Sequence, residues 1–307
     1  MRKRKVLPLV KKALDQAVHD QALSYGAAAS VASKFIKFQD YMEKKGYSGN
    51  LKNITKQDVL DYAKTLECYS TAYKHGLISA VNVVFKHITH GVWVPVTGVK
   101  DCGLEKRNFV RTEKPLEDYH FDIEGLFHSL IDKRNKRATI VAQTCLLFGL
   151  RLKEASLLDH REALITLIEN QLIEVKYGTK GGRPRTVNVE PDELAIETLT
   201  RGAALQANHY SIIPEDKKWI QFCRSEIDRY RDHLKNVGIN SYKELRAIYA
   251  CRKYYLKTDI APPVYGGKAS KQLDSSVRKE IAEDLGHKRS SISNSYIGKS
   301  KNEKDSK

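Results

Sequence analysis

The stretch TCLLFGLRLKEASLL, Thr144–Leu158, places a charged pair directly after an apolar helix. Its first residues continue a helical stripe that predicts a helix from Lys133 to Phe148. Arg151 and Glu154 follow at i, i+3, so a guanidinium lies at the edge of an apolar core. Because a guanidinium is planar and permanently charged, it can hold phosphate oxygens in a bidentate manner. The stretch therefore predicts either a phosphate-binding arginine oriented by Glu154 or a plain ion pair within a helix.

The charge balance points to a polyanionic partner. The 307 residues contain 53 Lys plus Arg against 37 Asp plus Glu, a formal net charge of +16. Such an excess favours nucleic acid over a small acidic substrate. The 41% of hydrophobic residues can furnish cores for two domains. No apolar run approaches the length of a membrane span, so no membrane partner is expected.

The N-terminal residues and the cysteines both favour a reducing cytoplasm. The opening MRKRKVLPLVKK is basic, but its apolar part, Val6–Val10, is short and contains a proline, which argues against a signal peptide. The five cysteines are odd in number and lack C-x-x-C spacing. Neither a disulfide framework nor a cysteine zinc site is therefore expected.

Residues 1–96 are predicted to form one helical domain. Apolar residues recur at helical spacing from Val31 to Met42 and from Leu77 to Ile88. Thr55 and Asp58 have the spacing of a capping box. These patterns predict about four helices whose polar faces carry lysines, either as DNA contacts or as solvated side chains. Two of these lysines are candidate DNA contacts, Lys34 and Lys37.

Residues 97–119 interrupt the helical pattern with prolines, glycines and basic side chains, and we interpret them as a basic linker. The second domain, residues 120–307, begins helical, but between Ala163 and Val189 the period changes to two. The alternating apolar residues are Ile173, Val175, Tyr177, Val187 and Val189. Glycines and a proline separate the two runs, which predicts an antiparallel hairpin. The predicted fold class is thus mainly α with a small antiparallel β-sheet.

The tip of this hairpin carries Lys180. A lysine on a β-turn can reach into a groove, and its ammonium group can donate a proton to a leaving oxygen. Two further cations follow it, Arg183 and Arg185, as candidate DNA contacts. A solvated basic turn is the alternative.

Two further stretches complete the candidate site. SYKELRAIYACRKYY, Ser241–Tyr255, places Lys243 and Arg246 three residues apart on one helical face. LGHKRSSISNSY places His287 at a predicted helix start and Tyr296 nine residues later. A phenol with its ordinary pKa of about 10 is a poor nucleophile, so it needs cationic neighbours and a proton acceptor. Taken alone, the last stretch also fits a helix start followed by an aromatic core residue.

The ordered set of these motifs resembles the tyrosine recombinase family, and in particular a phage-type integrase. The set is G-L-R-x-x-E, a hairpin with K-G-x-R-x-R, L-R-x-x-x-A on a helix, and L-G-H with a tyrosine nine residues later. The resemblance implies a helical core-binding domain at residues 1–96 that binds DNA, and an α+β catalytic domain at 120–307. It assigns the phosphate clamp to Arg151 and Arg246, the general acid to Lys180, the brace to Glu154, the second-histidine position to His287 and the nucleophile to Tyr296.

The resemblance also implies an activity. Tyr296 would attack a phosphodiester of double-stranded DNA and leave a 3′-phosphotyrosine, which the 5′-hydroxyl of another strand then resolves. This type IB-like transesterification makes the chain a DNA strand transferase that needs neither metal nor cofactor. The family works as a homo-tetramer on two DNA sites, often with accessory DNA-bending or directionality proteins. We therefore expect the integrase of a mobile genetic element, acting in the cytoplasm on the nucleoid.

Two departures from the family pattern leave questions open. The family usually has a histidine three residues before the second arginine, whereas this chain has Lys243. A lysine with its ordinary pKa of about 10.4 can only donate, so Lys243 could serve as an electrostatic brace within the catalytic set. The general base could then be Tyr242 or His233. An insertion at residues 256–272 has no assigned role.

Three alternatives stay open. Lys243 would fit a sequence-specific DNA-binding protein on the same scaffold with lost or weak catalysis. A basic structural or RNA-binding protein would make the motif matches coincidental. A topoisomerase-like or telomere-resolving relative would share the chemistry but yield different products.

Overall fold

The computed structural model describes residues 7–47, 51–120 and 122–300, with the side chain of Lys52 excepted. The basic opening, Phe121 and the charged C-terminal tail from residue 301 lie outside the described residues. The chain divides into two compact units, Met1–Asn108 and Phe109–Lys307. This division falls within the stretch interpreted as a linker, and the domain boundaries given above stay a prediction. None of the described helices is long and apolar enough to cross a bilayer.

The N-terminal unit is built from helices with well-defined ends. Ser24 and Ser70 each cap a helix by accepting a backbone N–H, and the predicted capping box of Thr55 and Asp58 is confirmed. Gly46 ends the second helix with φ +79°, a left-handed turn that glycine adopts without strain. The described helices of this unit are α1 (Pro8–His19), α2 (Tyr25–Lys44), α3 (Lys56–Lys64) and α4 (Thr71–Ile88), with a 3₁₀ turn at Leu51–Asn53.

An aromatic cluster forms the core of this unit. The ring of Phe38 lies 5.6 Å from that of Phe35 and 6.1 Å from that of Phe85, in tilted or edge-on arrangements. Trp93 stacks on Phe85 at 4.7 Å, and Val96 is also buried. The chain after α4 therefore continues to pack on the helices that precede it.

The C-terminal unit is organised around one buried helix. Every residue of α6 from Ala138 to Phe148 is buried, and α6 ends at Gly149. The described helices are α5 (Ile123–Ser129), α6 (Lys136–Phe148), α7 (Leu152–Ser156), α8 (His160–Asn170), α9 (Glu193–Gln206), α10 (Trp219–Phe222), α11 (Asp228–Asn236), α12 (Tyr242–Thr258), α13 (Lys271–Asp284) and α14 (Asn294–Ile297). A π-helical turn at Cys223–Ile227 joins α10 to α11, and 3₁₀ turns lie at Pro263–Tyr265 and Ser290–Ser293.

One small antiparallel sheet interrupts these helices, as predicted. Strand β1 (Leu172–Val175) pairs with β2 (Arg185–Asn188) in a register that places Ile173 opposite Val187, both buried. The fold class, mainly α with a small antiparallel sheet, is confirmed. The hairpin brings Arg185 onto the same unit as the helices that carry the other candidate residues.

Two details of the predicted hairpin are wrong. The alternation does not begin at Ala163, because Asp159 caps α8 by accepting two backbone N–H groups and the helix runs to Asn170. Strand β1 ends at Val175, and Tyr177 is exposed in the turn. The apolar residues after Ala163 fit a helix or a strand equally well, and the cap at Asp159 shows that they continue a helix.

We expect Phe38→Ala to destabilise the N-terminal unit by about 3–5 kcal/mol, because truncation leaves a cavity among four aromatic rings. The chain has two tryptophans, so in a Trp219→Phe background Trp93 alone reports urea unfolding of this unit. Tyr25→Ala is the control, since Tyr25 is 84% exposed and its loss should change stability by no more than about 0.5 kcal/mol. Equal effects of the two substitutions would contradict the assignment of this core.

Candidate active site

A glycine turn positions the first arginine. Gly149 ends α6 with φ +63°, and a Cβ at this position would lie 2.5 Å from the ring of Tyr249. The chain can therefore turn only at glycine here, and Arg151 becomes the residue that precedes α7. Its backbone N–H donates to Glu154 Oε2 at 2.8 Å, and its Nη1 donates to Oε1 at 2.6 Å.

Glu154 is the centre of a cluster of three arginines. Its side chain is 0% exposed, and Arg185 from β2 donates to both carboxylate oxygens, at 2.9 and 2.7 Å. Arg246 Nη1 lies 3.7 Å from Oε2, and Arg151 provides the third guanidinium. Burial alone would raise the pKa of Glu154, but the bidentate contact with Arg185 and the N–H and charge of Arg151 lower it to about 2. The carboxylate is therefore ionised at neutral pH.

Arg246 connects this cluster to the tyrosine. It lies on α12, is nearly fully buried, and donates from Nη1 to the Gly149 carbonyl at 2.6 Å. Its Nη2 donates to the Leu285 carbonyl at 3.1 Å and to the Tyr296 hydroxyl at 3.3 Å. The guanidinium carbon also lies 5.5 Å from the centre of the Tyr296 ring. Two backbone carbonyls thus orient a permanent cation against the phenol.

His287 follows a helix end, so the prediction that it begins a helix is wrong. Gly286, with φ +71°, donates to the Glu283 carbonyl at 2.8 Å, and His287 donates from its backbone N–H to the Ala282 carbonyl at 2.7 Å. These two bonds form a Schellman motif, which ends α13 at Asp284. The L-G-H sequence thus ends α13, and His287 directly follows the left-handed glycine of the motif.

The imidazole of His287 faces the tyrosine. Its Nε2 lies 3.3 Å from the Tyr296 hydroxyl oxygen. Partial burial, followed by the charges of Arg151, Arg246, Arg185 and Lys180, lowers its pKa to about 4. The ring is therefore neutral at physiological pH, and one of its nitrogens is free to accept a proton.

Tyr296 lies on α14 and is 7% exposed. Its hydroxyl has Arg246 on one side and His287 on the other, each at 3.3 Å. A cationic donor and a neutral imidazole together are the surroundings that the sequence predicted a nucleophilic phenol would need. The arrangement can stabilise a phenolate and accept the proton it loses.

The remaining predicted site residues differ in their surroundings. Lys180 is exposed on the hairpin turn, and its charge acts on His287. Arg185 uses its guanidinium within the protein, since its Nε also donates to the Asp284 carbonyl at 2.8 Å. Arg183 is exposed on the same turn, Lys37 is exposed on α2, and Lys34 is half-buried there. Their assignment to DNA contacts stays a prediction.

The structure also locates the candidates for a general base. Lys243 is exposed in the first turn of α12. Tyr242 is buried, and burial raises its pKa far above the ordinary value, which does not suit a base. His233 contacts the Ser129 carbonyl at 2.9 Å. Among the described residues, Arg246 and His287 bond to the Tyr296 hydroxyl, and of these two His287 is the one that can accept a proton.

Sequence reasoning missed two arginine roles. Arg185 braces Glu154 from 31 residues away, a contact that depends on the strand pairing. Arg278, on α13, bonds to the segment that carries Tyr296. The only sequence signal for it is an i, i+4 pair with Asp274, which is common on helices. Within the described residues, no group of three or more His, Cys, Asp or Glu side chains could hold a metal ion.

Part of the candidate site lies in a region that resembles a known protein family. Residues 117–252 match the family model described as Integrase. That region contains Arg151, Glu154, Lys180, Arg185 and Arg246, whereas His287 and Tyr296 lie beyond it. No curated protein matches the chain in sequence.

Solved structures share the fold over nearly the whole chain. XerH site-specific recombinase bound to its difH substrate is 16% identical, with a TM-score of 0.58 over 96% of this chain and 81% of that one. A lambda integrase tetramer bound to a Holliday junction is 14% identical, with a TM-score of 0.55 over 98% and 81%. The Tn1549 transposon integrase in complex with a circular intermediate DNA is 12% identical, with a TM-score of 0.58 over 97% and 96%.

These likenesses establish that the chain has the fold of the tyrosine recombinases. Within it, residues 117–252 are similar to the integrase family model.

We expect Glu154→Gln to destabilise the C-terminal unit by about 3–5 kcal/mol, because it leaves buried arginines without their carboxylate. Trp219 fluorescence during urea unfolding, in a Trp93→Phe background, provides the measurement. Since the pKa of Glu154 falls from 4.5 unfolded to about 2 folded, the difference from wild type should be complete above pH 4.5 and shrink as the pH falls towards 2. Glu162→Gln, which breaks an exposed pair with Lys176, should cost less than about 1 kcal/mol.

In the free protein, we expect His287 to titrate with a pKa of about 4. NMR of its ring protons as a function of pH measures this value, and a His287→Gln variant assigns the signals. Arg151→Gln should raise this pKa, because it removes one of the charges that disfavour the imidazolium. A wild-type midpoint near the ordinary value of about 6.5 would contradict the lowered pKa described above.

Proposed function

We propose that the chain is a site-specific DNA recombinase that cleaves and rejoins double-stranded DNA through a 3′-phosphotyrosine intermediate. The observation that carries the proposal is the Tyr296 hydroxyl held at 3.3 Å by both Arg246 and His287. The integrase family match supports the same conclusion, and the three structural relatives are each bound to DNA. The net charge of +16 suits a protein that binds a DNA backbone.

In the cleavage step, the Tyr296 oxygen attacks a DNA phosphorus while the bond from that phosphorus to the 5′-oxygen breaks. The phenol proton passes to Nε2 of His287, which is neutral and within hydrogen-bond reach. His287 thereby takes the base role for which Lys243 is chemically unsuited. Lys180 donates a proton to the departing 5′-oxygen, which leaves as a hydroxyl.

Charge stabilisation comes from preorganised cations. Arg246 is fixed by two backbone carbonyls and donates to the tyrosine oxygen, so it stabilises the phenolate as it forms. Arg151, held by Glu154 yet partly exposed, has donors available for the phosphoryl oxygens. The 5′-hydroxyl of a second strand then attacks the phosphotyrosine and releases Tyr296, so the bond energy is conserved and no nucleotide cofactor is consumed.

The wider setting extends this proposal. Full exchange of strands requires four cleavage sites, and we propose a homo-tetramer on two DNA sites, as in the lambda integrase assembly on a Holliday junction. The Tn1549 relative is a transposon integrase, which supports a mobile genetic element as the source of this chain. Accessory DNA-bending or directionality proteins, and action on the nucleoid in the cytoplasm, belong to the same proposal.

The test is to trap the covalent intermediate. Wild type and Tyr296→Phe are each incubated with DNA that flanks the gene, denatured, and examined for a protein–DNA adduct whose ends are sequenced. We expect an adduct with wild type and none with Tyr296→Phe, because only the phenol oxygen can form the phosphotyrosine. Tyr210→Phe is the control, since Tyr210 is 80% exposed and should leave the adduct unchanged.

The opposite outcome is also informative. Intact binding of wild type to the same fragments with no adduct would overturn the proposal and favour the DNA-binding protein without catalysis. Lys243→His would then be the next variant, because it restores the residue that the family usually has.

A further inference from the structure

The nucleophile lies on a segment that cannot hold its own shape. Helix α14 has four residues, Asn294–Ile297, and follows a 3₁₀ turn of four more. A helix this short forms at most one hydrogen-bonded turn and is unstable without tertiary support. The position of Tyr296 must therefore be fixed by contacts from other elements.

Arg278 on α13 provides three of these contacts. It is 8% exposed, and its Nη1 donates to Asn294 Oδ1 at 2.7 Å, to the Gly298 carbonyl at 3.1 Å and to Ser293 Oγ at 3.3 Å. One guanidinium group therefore bonds to the segment on both sides of Tyr296.

Arg278 is itself held by hydrogen bonds that involve Asp274 and Tyr254. Its Nε donates to Asp274 Oδ2 at 2.7 Å, and Asp274 Oδ1 accepts from the Tyr254 hydroxyl at 2.8 Å. Tyr254 belongs to α12, the helix that also carries Arg246. The element that presents the phosphate-binding arginine and the element that presents the nucleophile are thus joined through two side chains.

Backbone atoms of two other segments also contact the tyrosine segment. The Arg111 N–H donates to the Asn294 carbonyl at 2.8 Å. Gly298 has φ +76°, and a Cβ there would lie 2.9 Å from the backbone nitrogen of Val264 and 3.1 Å from the Arg111 carbonyl oxygen. Val264 lies in the 3₁₀ turn of the 256–272 insertion. The insertion therefore packs directly against the residue that ends the tyrosine segment.

We propose that Arg278 is a positioning residue that holds Tyr296 next to Arg246 and His287 of its own chain, and that the Pro263–Tyr265 turn supports the end of the same segment. This gives the insertion a role beside the segment that carries the nucleophile. The expected effect on cleavage rests on the proposed function. The effect of Arg278 on the stability of the tyrosine segment can be measured in the free protein, without DNA cleavage.

The test compares Arg278→Lys with Arg201→Lys. Both arginines pair with a carboxylate four residues earlier on a helix, Asp274 and Glu197 respectively. Arg201 lies on α9 and, within the described residues, makes no hydrogen bond or ion pair to the tyrosine segment. An ammonium group cannot span Asp274 and both sides of α14 at once, because it lacks the planar fork of donors. Asn294→Ala removes one acceptor from the segment instead, in case Arg278→Lys does not fold.

The first readout is hydrogen exchange of the amides at residues 294–298 in free protein. We expect Arg278→Lys to exchange at least about tenfold faster there, the factor that loss of one net hydrogen bond gives, with unchanged exchange in α6 and α9. Asn294→Ala should show a smaller increase, and Arg201→Lys none. Unchanged exchange at 294–298 in a folded Arg278→Lys would overturn the proposal, as would an equal increase throughout the unit.

The second readout is cleavage at the site mapped from the wild-type adduct. We expect Arg278→Lys to leave the Kd for that duplex within about twofold, since the guanidinium is buried away from solvent, and to slow first-order adduct formation about 100-fold, the cost of a misplaced reacting group. A weaker Kd with an unchanged rate would contradict a positioning role. If wild type forms no adduct, the proposed function fails, and the exchange measurement alone decides whether Arg278 fixes the segment.

Discussion

The candidate site depends on one buried negative charge. Glu154 is fully enclosed, yet its carboxylate is ionised because Arg185 contacts both of its oxygens and Arg151 contacts it from its own turn. Without that charge, guanidinium groups from three elements of the C-terminal unit would repel one another in a poorly solvated space. With it, they lie side by side, and partial burial together with their positive charges lowers the pKa of His287. The cluster thus favours both the ionised form of one carboxyl group and the neutral form of one imidazole.

This arrangement resolves a chemical difficulty posed by Lys243. The proposed mechanism requires a proton acceptor beside the phenol, a role that a lysine ammonium group, which has only donors, does not suit. The Schellman motif at Gly286 releases the chain from α13 at the point that leaves the next side chain facing Tyr296. The same three residues, Leu285, Gly286 and His287, therefore end α13 and provide the proposed proton acceptor for Tyr296.

The sequence was sufficient for the parts of the site that are local or ordered along the chain. Arg151 with Glu154, the hairpin, Arg246 and the histidine–tyrosine pair follow from spacing and from the family resemblance. Arg185 as a brace could not be predicted, because its contact requires the β1–β2 register and the approach of α7. His287 was placed at the wrong end of a helix, since a glycine before a polar residue is compatible with a start or a stop until the carbonyl partners are known. Arg278 gave only an ordinary i, i+4 signal.

Much of the site is anchored to main-chain oxygens. Arg246 is oriented by the carbonyls of Gly149 and Leu285, and Arg185 by the carbonyl of Asp284. Every residue type offers the same carbonyl, so substitutions at most of these acceptor positions leave the acceptor in place. Evolution can then replace nearly all the surrounding side chains while the charged groups keep their relative positions. Chains that share little more than a tenth of their residues with this one can thus retain a common architecture.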